Sequence, residues 1–318
     1  MKNNFLLSVI IPVYNESGNI KALLSRLMPT VSKYTYEVVF VNDGSTDNTI
    51  QEIKAECTRN PAVKLISFTR NFGHQNALSA GYQYSKGDCV VTIDADLQDP
   101  PELIDKMIGA WKKGFEIVYA HRQSRRTDSI FKKTTAWMFY WLINQVSEVR
   151  IPADVGDYRL LDRSVVAFLN GLPEYARFLR GLVAWSGYKT TYVDFDRSLR
   201  HSGDTHYPFR KMFSFAVMGI TAFSTKPLRV VIYFGFLTAT VGFLGMAYAF
   251  LRRLMPHQYW VTGWTAIFVS ITFFSGVQIF ILGVIGEYIG RIFTQVQGRP
   301  LYLVKETVNI ESSPDSSS

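Results

Sequence analysis

The chain has 318 residues, 47% of them hydrophobic and 19% charged, with a formal net charge of +8 and two cysteines. That is enough for one large domain or a domain with an appendage, and it excludes a disordered or disulfide-built chain. The basic balance admits nucleic acid or an anionic membrane, and the membrane wins over nucleic acid: a mean hydropathy of +0.05 averages an ordinary first part with a last third that carries two long uncharged runs.

Residues 6–13 are a continuous apolar run closed by Pro12 and then Tyr14-Asn15-Glu16-Ser17-Gly18-Asn19. The run predicts a buried strand, a loop and a helix over 19–32 capped by Ser17 or Asn19. It is too short for a signal peptide. A second strand, 36–41, ends in Asn42-Asp43-Gly44-Ser45-Thr46-Asp47, and a helix follows. A third, 63–68, ends in Thr69-Arg70-Asn71-Phe72-Gly73-His74 ahead of a helix over 75–85. The fourth, 89–93, ends in Asp94-Ala95-Asp96-Leu97-Gln98. Four repeats of strand, polar loop and helix predict β-α-β units, an α/β domain and a mostly parallel sheet. Cys57 and Cys89 have no metal or redox spacing and read as inert core residues of a reducing compartment.

The polar loops all fall on one edge, where open α/β sheets bind ligands. Tyr14 and Glu16, Asp43 and Ser45, Arg70 and Asn71, and Asp94, Asp96 and Gln98 therefore converge on one crevice, and a nucleotide is its natural tenant. Neither Gly-x-Gly-x-x-Gly nor Gly-x-x-x-x-Gly-Lys-Ser/Thr occurs, so dinucleotide oxidoreductases and P-loop proteins lose their main support. Asp94, Asp96 and Gln98 offer the hard oxygen ligands that Mg²⁺ or Mn²⁺ prefers, and such a cation would hold a substrate diphosphate. Asp43 can accept from a base imide N–H, and Asp94 from a ribose or sugar hydroxyl. The same Asp-x-Asp stretch, followed by Asp99-Pro100-Pro101, is also good turn chemistry.

Val9-Ile-Ile-Pro-Val-Tyr-Asn-Glu16, Asn42-Asp-Gly-Ser45, Arg70-Asn-Phe-Gly73 and Asp94-Ala-Asp-Leu-Gln98, in that order, resemble the GT-A nucleotide-sugar fold of glycosyltransferase family 2. More narrowly, the chain resembles the polyprenyl-phosphate glycosyltransferases, which include dolichol-phosphate mannose synthases and bactoprenol glucosyltransferases. The match runs on to Gly286-Glu-Tyr-Ile-Gly-Arg291. The resemblance implies an enzyme that moves a hexose, with inversion and with Mg²⁺ or Mn²⁺, from a nucleotide sugar to a polyprenyl phosphate at the membrane surface. Glucose from UDP-glucose onto undecaprenyl phosphate is the favoured pairing, with GDP-mannose or another UDP-sugar behind it. It further implies donor contacts at Pro12, Tyr14, Glu16, Asp43, Ser45, Arg70, Asn71, Asp94 and Ala95, metal ligands at Asp94, Asp96 and Gln98, and Asp94, Asp96 and Asp157 as the catalytic carboxylates.

Residues 115–120 read as a further strand. The aromatic stretch 129–147, with Trp137 and Trp141 on one stripe and Lys132 and Lys133 at its start, reads as an interfacial helix or an ordinary core helix. Residues 208–223 are a second such element. Asp157 in Val155-Gly156-Asp157-Tyr158-Arg159 lies at the acceptor side by resemblance; by residue type alone it serves equally as N-cap of a helix over 158–169. Arg122, Arg125, Arg200, Ser202 and His206 are candidates for the acceptor phosphate, with Arg125 and Arg126 also readable as a headgroup-facing run. The loop 200–207 departs from the family's Arg-x-x-Gly-x-Ser-Lys-Tyr at Thr205-His206, which puts a phosphate contact at His206 in doubt. His74, His121, His201 and His257 show no ligand spacing and read as structural or solvent-facing.

The uncharged runs 230–251 and 258–286, at about 1.5 Å rise per residue, are each long enough to cross a hydrocarbon core of roughly 30 Å. Arg210, Lys211, Lys226 and Arg229 precede the first and Arg291, Arg299 and Lys305 follow the second, with Arg252 and Arg253 between. This predicts a multi-pass protein of the inner (plasma) membrane with its catalytic domain and both termini cytoplasmic. Gly235, Gly242, Gly245, Gly276 and Gly283 allow close helix packing and suggest a homo-oligomer. The division expected is 1–128 for the nucleotide-sugar-binding core, 129–227 for the rest of the catalytic domain, 228–287 for two transmembrane helices, and 288–318 for a cytoplasmic tail with a disordered end. A processive membrane polysaccharide synthase would show Gln-x-x-Arg-Trp, which is missing. The intact Asp94, Asp96, Gln98 and Asp157 speak against a non-catalytic nucleotide-sugar sensor.

Overall fold

The computed structural model describes residues 4–122, 155–175, 177–195, 226–253 and 263–310. The elements run β1 (Leu6–Val13), α1 (Asn19–Val31), β2 (Thr35–Asn42), α2 (Thr49–Arg59), β3 (Val63–Phe68), α3 (His74–Tyr84), β4 (Cys89–Thr92), α4 (Ile104–Lys112) and β5 (Ile117–Arg122). They continue with β6 (Val155–Asp162), α5 (Arg163–Gly171), α6 (Leu179–Trp185), β7 (Thr190–Phe195), α7 (Lys226–Arg253), α8 (Trp264–Val296) and β8 (Val304–Val308).

The described strands form one sheet in the order β7-β5-β6-β4-β1-β2-β3-β8. β1 pairs in parallel with β2 and β4, β2 with β3, and β5 with β7, while β6 and β8 run antiparallel to their neighbours. The first four strands are mostly apolar and almost wholly buried because both faces are covered. Leu7, Val9, Ile11 and Val13 of β1 join Leu23, Leu27, Ile53 and Met107 in one core. Ile10, with Val39, Ile66 and Val90, joins Ala77, Leu78, Val165 and Leu182 in the other. Both cysteines are free and buried, and burial pushes the Cys57 thiol up to about 11, which keeps it an unreactive thiol.

Two local expectations are corrected. Helix α1 starts at Asn19 behind Gly18, with no side-chain cap; the Ser17 hydroxyl instead donates to Glu52 Oε1 at 2.6 Å. Residues 158–169 are not a helix capped by Asp157. Val155–Asp162 is strand β6, inserted between β4 and β5 with Val155, Tyr158, Leu160 and Leu161 buried. Pairing on both edges outweighs the local capping pattern. Asp162 is the cap, its side chain accepting from the Ser164 N–H at 2.9 Å at the start of α5.

Past this domain come α7 and α8, which at 28 and 33 residues extend ~42 and ~50 Å. Leu228–Gly245 and Val269–Val296 are long and apolar enough to cross a membrane, with mean hydropathies of 1.7 and 2.0 and at most 6% of either stretch buried. Of the five glycines marked for packing, a Cβ added at Gly242 would lie in ordinary contact with Phe274 of the other helix, 3.8 Å away, and one added at the other four would meet open space within the chain. After α8 the chain returns. Strand β8 lines the far edge of β3, Tyr302 stacks on Phe68 at 4.8 Å, and Lys54 pairs with Glu306 at 2.7 Å. The segment following the hairpin is thus part of the catalytic domain's sheet, a role that the sequence reading did not give it. The interfacial helices expected at 129–147 and 208–223 and the polar end 311–318 lie outside the described residues.

Candidate active site

The carboxyl ends of β1–β4 open on a crevice of about 210 Å³ lined by Pro12, Val13, Tyr14, Glu16, Asp43, His74, Ala77, Asp94, Ala95 and Asp96. Seven of these were singled out from the sequence. The loops forming the wall are stitched to one another: Asn15 N–H donates to Ser45 Oγ at 3.0 Å, Thr46 N–H to Asn15 Oδ1 at 2.8 Å, and Glu16 N–H to Thr49 Oγ1 at 2.9 Å. Gly44, at φ +72°, lies so close to the Arg70–Asn71 backbone that a Cβ there would collide with it, so the β2 and β3 loops can cross only at a glycine.

Asp43 is 4% exposed. Its two oxygens accept from the N–H groups of Phe72 at 2.6 Å and Gly73 at 2.9 Å. Burial raises its carboxyl above the usual range despite those bonds. It is as much the pin of the β3 loop as a wall of the crevice. Arg70 stacks over Phe72 at 4.1 Å and donates to the Asn71 carbonyl at 3.1 Å; Ser45, Arg70, Asn71 and Gln98 stand outside the crevice lining. Leu97 sits at φ 60°, a left-handed turn that costs about 1–2 kcal/mol, and Asp96 Oδ1 accepts from the Gln98 N–H at 3.1 Å inside that turn. Among the described residues, no three histidine, cysteine or carboxylate side chains form a cage able to hold a metal ion by themselves.

Strand β6 lies alongside, and its Asp157 stands next to the crevice residue His74 rather than in the lining itself. Its register pairs Thr92 with Arg159, and continuing two residues beyond the strand brings Asp94 opposite Asp157. The Thr92 hydroxyl donates to the Asp157 carbonyl. The Asp157 carboxylate takes Arg180 in a two-pronged pair, Nε to Oδ1 at 3.1 Å and Nη2 to Oδ2 at 2.9 Å. Arg159 Nη2 lies 3.5 Å from Oδ1, and His74 Nε2 lies 3.4 Å from Oδ2. The same His74 nitrogen is 3.9 Å from Asp94 Oδ1. Burial works against the Asp157 anion, but Arg180, the His74 hydrogen bond and Arg159 outweigh it and hold the carboxyl well below the usual range. For Asp94 desolvation raises the carboxyl; His74 opposes this, and the charges of Asp157 and Asp96 reinforce it.

His74, read from the sequence as structural or solvent-facing, is therefore a crevice residue, and Arg159 and Arg180 were not singled out at all. The histidine had a signal: it follows Gly73 at the carboxyl end of β3, the same edge as every other site loop. Gly73, at φ 97°, supplies the backbone turn that puts His74 in the first turn of α3. Arg180 had none, since only the folding of α6 against α3, where Leu179 N–H donates to Gln75 Oε1 at 3.1 Å, brings it to Asp157. His121 stands apart, paired with Asp194 at 2.7 Å. Arg122 closes β5. Arg125, Arg200, Ser202 and His206 lie outside the described residues.

Residues 8–169 match the family described as Glycosyl transferase family 2, and residues 226–292 match the GtrB C-terminal hairpin. An uncharacterized glycosyltransferase of Bacillus subtilis, YkcC, is 45% identical, over 98% of this chain and 97% of its own. The SfII prophage-derived bactoprenol glucosyl transferase of Shigella flexneri is 41% identical over 95% of this chain and 98% of its own. Mannosyl-3-phosphoglycerate synthase from Rubrobacter xylanophilus overlaps at a TM-score of 0.49 with 18% identity, over 71% of this chain and 74% of that one, a likeness too low to say anything of donor, metal or acceptor. On the matched domain, on near full-length relatives and on a mostly parallel sheet with its crevice at the strand ends, the chain belongs to glycosyltransferase family 2 and is a glycosyltransferase of GT-A fold.

Proposed function

We propose that this enzyme transfers glucose from UDP-glucose to a polyprenyl phosphate, undecaprenyl phosphate in a bacterial membrane, by a single inverting displacement at the cytoplasmic face of the plasma membrane. The observation that carries the reading is the gathering of Asp94 and Asp96 in one crevice with His74, whose ring also reaches Asp157 beside it, in a chain whose relatives include bactoprenol glucosyl transferases and whose last third carries an apolar helical hairpin. The return of β8 to the sheet supports an even number of crossings, with the chain's end on the side of the catalytic domain.

The donor fits the crevice with its nucleoside along Pro12, Tyr14 and Asp43 and its sugar toward Asp94. Asp94 and Asp96 in the lining are hard oxygen donors that suit Mg²⁺ or Mn²⁺, with the Gln98 amide just outside it; lacking a full cage, they would hold the ion jointly with the donor diphosphate. A cation bound there would supply positive charge against the leaving nucleoside diphosphate. Asp157 is the acceptor-side carboxylate, and its lowered pKa suits it to orienting rather than to taking a proton. The acceptor needs little help: a phosphate monoester has its second pKa near ~6, so its oxygen is already largely anionic at neutral pH. Its tail stays in lipid while its phosphate enters from the side of Asp157, with Arg122, Arg125 and Arg200 the guanidinium candidates to meet it and Ser202 and His206 beside them.

The test is transfer of label into the organic phase by the purified full-length protein with undecaprenyl phosphate, Mg²⁺ or Mn²⁺, and radiolabelled UDP-glucose or GDP-mannose in parallel. Lipid label from UDP-glucose alone, lost on chelation, is expected. Label from GDP-mannose alone would overturn the donor, and metal-independent transfer would remove the cation.

A further inference from the structure

His74 is the one group described above that acts on both Asp157 and Asp94 from outside the β6 side. Arg180 and Arg159 grip Asp157 from its own side, through a neighbouring helix and its own strand. His74 comes from the β3–α3 junction and lines the crevice, and its Nε2 lies 3.4 Å from Asp157 Oδ2 and 3.9 Å from Asp94 Oδ1. The seat of the imidazole is firm: α3 packs on β1 and β2 through Ala77, Leu78, Ala80 and Tyr82, all buried, and the next residue, Gln75, accepts from the first N–H of α6. The helices carrying His74 and Arg180 are therefore fixed to each other as well as to Asp157.

Asp94 in the crevice and Asp157 beside it carry like charge next to a space that must also admit a diphosphate and an acceptor phosphate, and an N–H group between them offsets their repulsion. We propose that His74 is a positioning residue for the transfer: its Nε2–H, within reach of Asp157 at 3.4 Å and with Asp94 at 3.9 Å on its other side, sets the spacing of the two carboxylates, and so the line on which an acceptor phosphate meets the anomeric carbon. This rests on the glycosyl-transfer reading above. It makes His74 act through its two carboxylates, and misplacement of reacting groups by about 1 Å is worth on the order of 10²-fold in rate.

The experiment compares full-length His74→Leu and His74→Gln in detergent by kcat for lipid labelling, by UDP affinity in Mg²⁺ from calorimetry, and by the midpoint of thermal unfolding. Leucine should lower kcat on the order of 10²-fold with UDP affinity and midpoint close to the parental values. Glutamine carries an amide N–H where Nε2 stands, and should recover most of the loss. A leucine variant with parental kcat would overturn the proposal. So would UDP affinity falling in step with kcat, which would make His74 a donor-binding residue, or a glutamine variant as slow as leucine. Failure of the parental protein to label lipid from any donor would bring down the transfer reading and this inference together, whereas failure of the leucine–glutamine contrast alone brings down the inference and leaves the reading standing.

Discussion

Replacing Asp157 by alanine should unfold the protein more readily as well as silence it, and the structure says which partner is responsible. Arg180 is 36% exposed; freed of its carboxylate, its head can turn to water, and pairs of that kind are worth about 0–1 kcal/mol. Arg159 has no such exit. It is 0% exposed, and its three guanidinium nitrogens have no hydrogen-bond partner among the described residues, so Asp157 Oδ1 at 3.5 Å is its counter-charge there. Stripping the partner from a buried charge costs about 3–5 kcal/mol, which in a domain of this size lowers the unfolding midpoint by roughly 6–20 °C. Thermal unfolding of the full chain in detergent measures it. The double variant Asp157→Ala with Arg159→Met, which removes the stranded charge, should recover most of the loss. A single variant that melts with the parent, or a double variant that melts as early as the single, would refute the reasoning.

Asp96→Ala should lose metal-dependent labelling of lipid by on the order of 10²-fold or more, and UDP binding should no longer respond to Mg²⁺; near-parental activity with Mg²⁺ or Mn²⁺ would take Asp96 out of that role. Glu37 is 3% exposed and accepts from Lys64 Nζ and the Lys86 N–H, both at 2.6 Å. Burial favours its neutral form, but those bonds and the Ser8 hydroxyl prevail, and its pKa lies below the ordinary 4.5. Its contribution is therefore fully present above pH 4.5 and is lost as pH falls through the lowered value; the midpoint of Glu37→Gln, followed from pH 6 downward, should be lower at the start and fall less. Tyr302→Ala removes the stack on Phe68 and the hydroxyl bond to Gln83, a loss of roughly 1.5–3 kcal/mol. Because Leu303 O also accepts from Thr69 N–H at 3.0 Å beside the Arg70 loop, nucleotide affinity should drop too, which calorimetry with UDP would show; unchanged stability and affinity would mean that the strap is dispensable.

The parallel half of the sheet was legible because β1–β4 are mostly apolar, each closed by a polar loop, and that pattern is met by strands buried on both faces with every loop at one edge. The crevice followed from it. Strand β6 was not legible, since Val-Gly-Asp-Tyr-Arg carries a glycine and two charges, and it is held as a strand by β4 and β5, which are distant in sequence. Asp157 could thus be named by resemblance while residue type alone left a helix cap equally open. Arg159 was not singled out because nothing local in the sequence says that it will be buried inside a strand beside a carboxylate. The alternation in Val304–Val308 is a half-buried strand signal, but five residues in a polar tail carry too little of it to rank against disorder.

The most direct measurement is the structure of the lipid product. Mass spectrometry and phosphorus NMR of the material formed from UDP-glucose and undecaprenyl phosphate should show one phosphorus per lipid and a β-linked glucose, because the acceptor phosphate attacks the anomeric carbon of an α-linked donor and the nucleoside diphosphate leaves whole. A lipid with two phosphates would mean that a sugar phosphate had been transferred, and an α-linked product would mean that the donor was not displaced in a single inverting step; either would contradict the account.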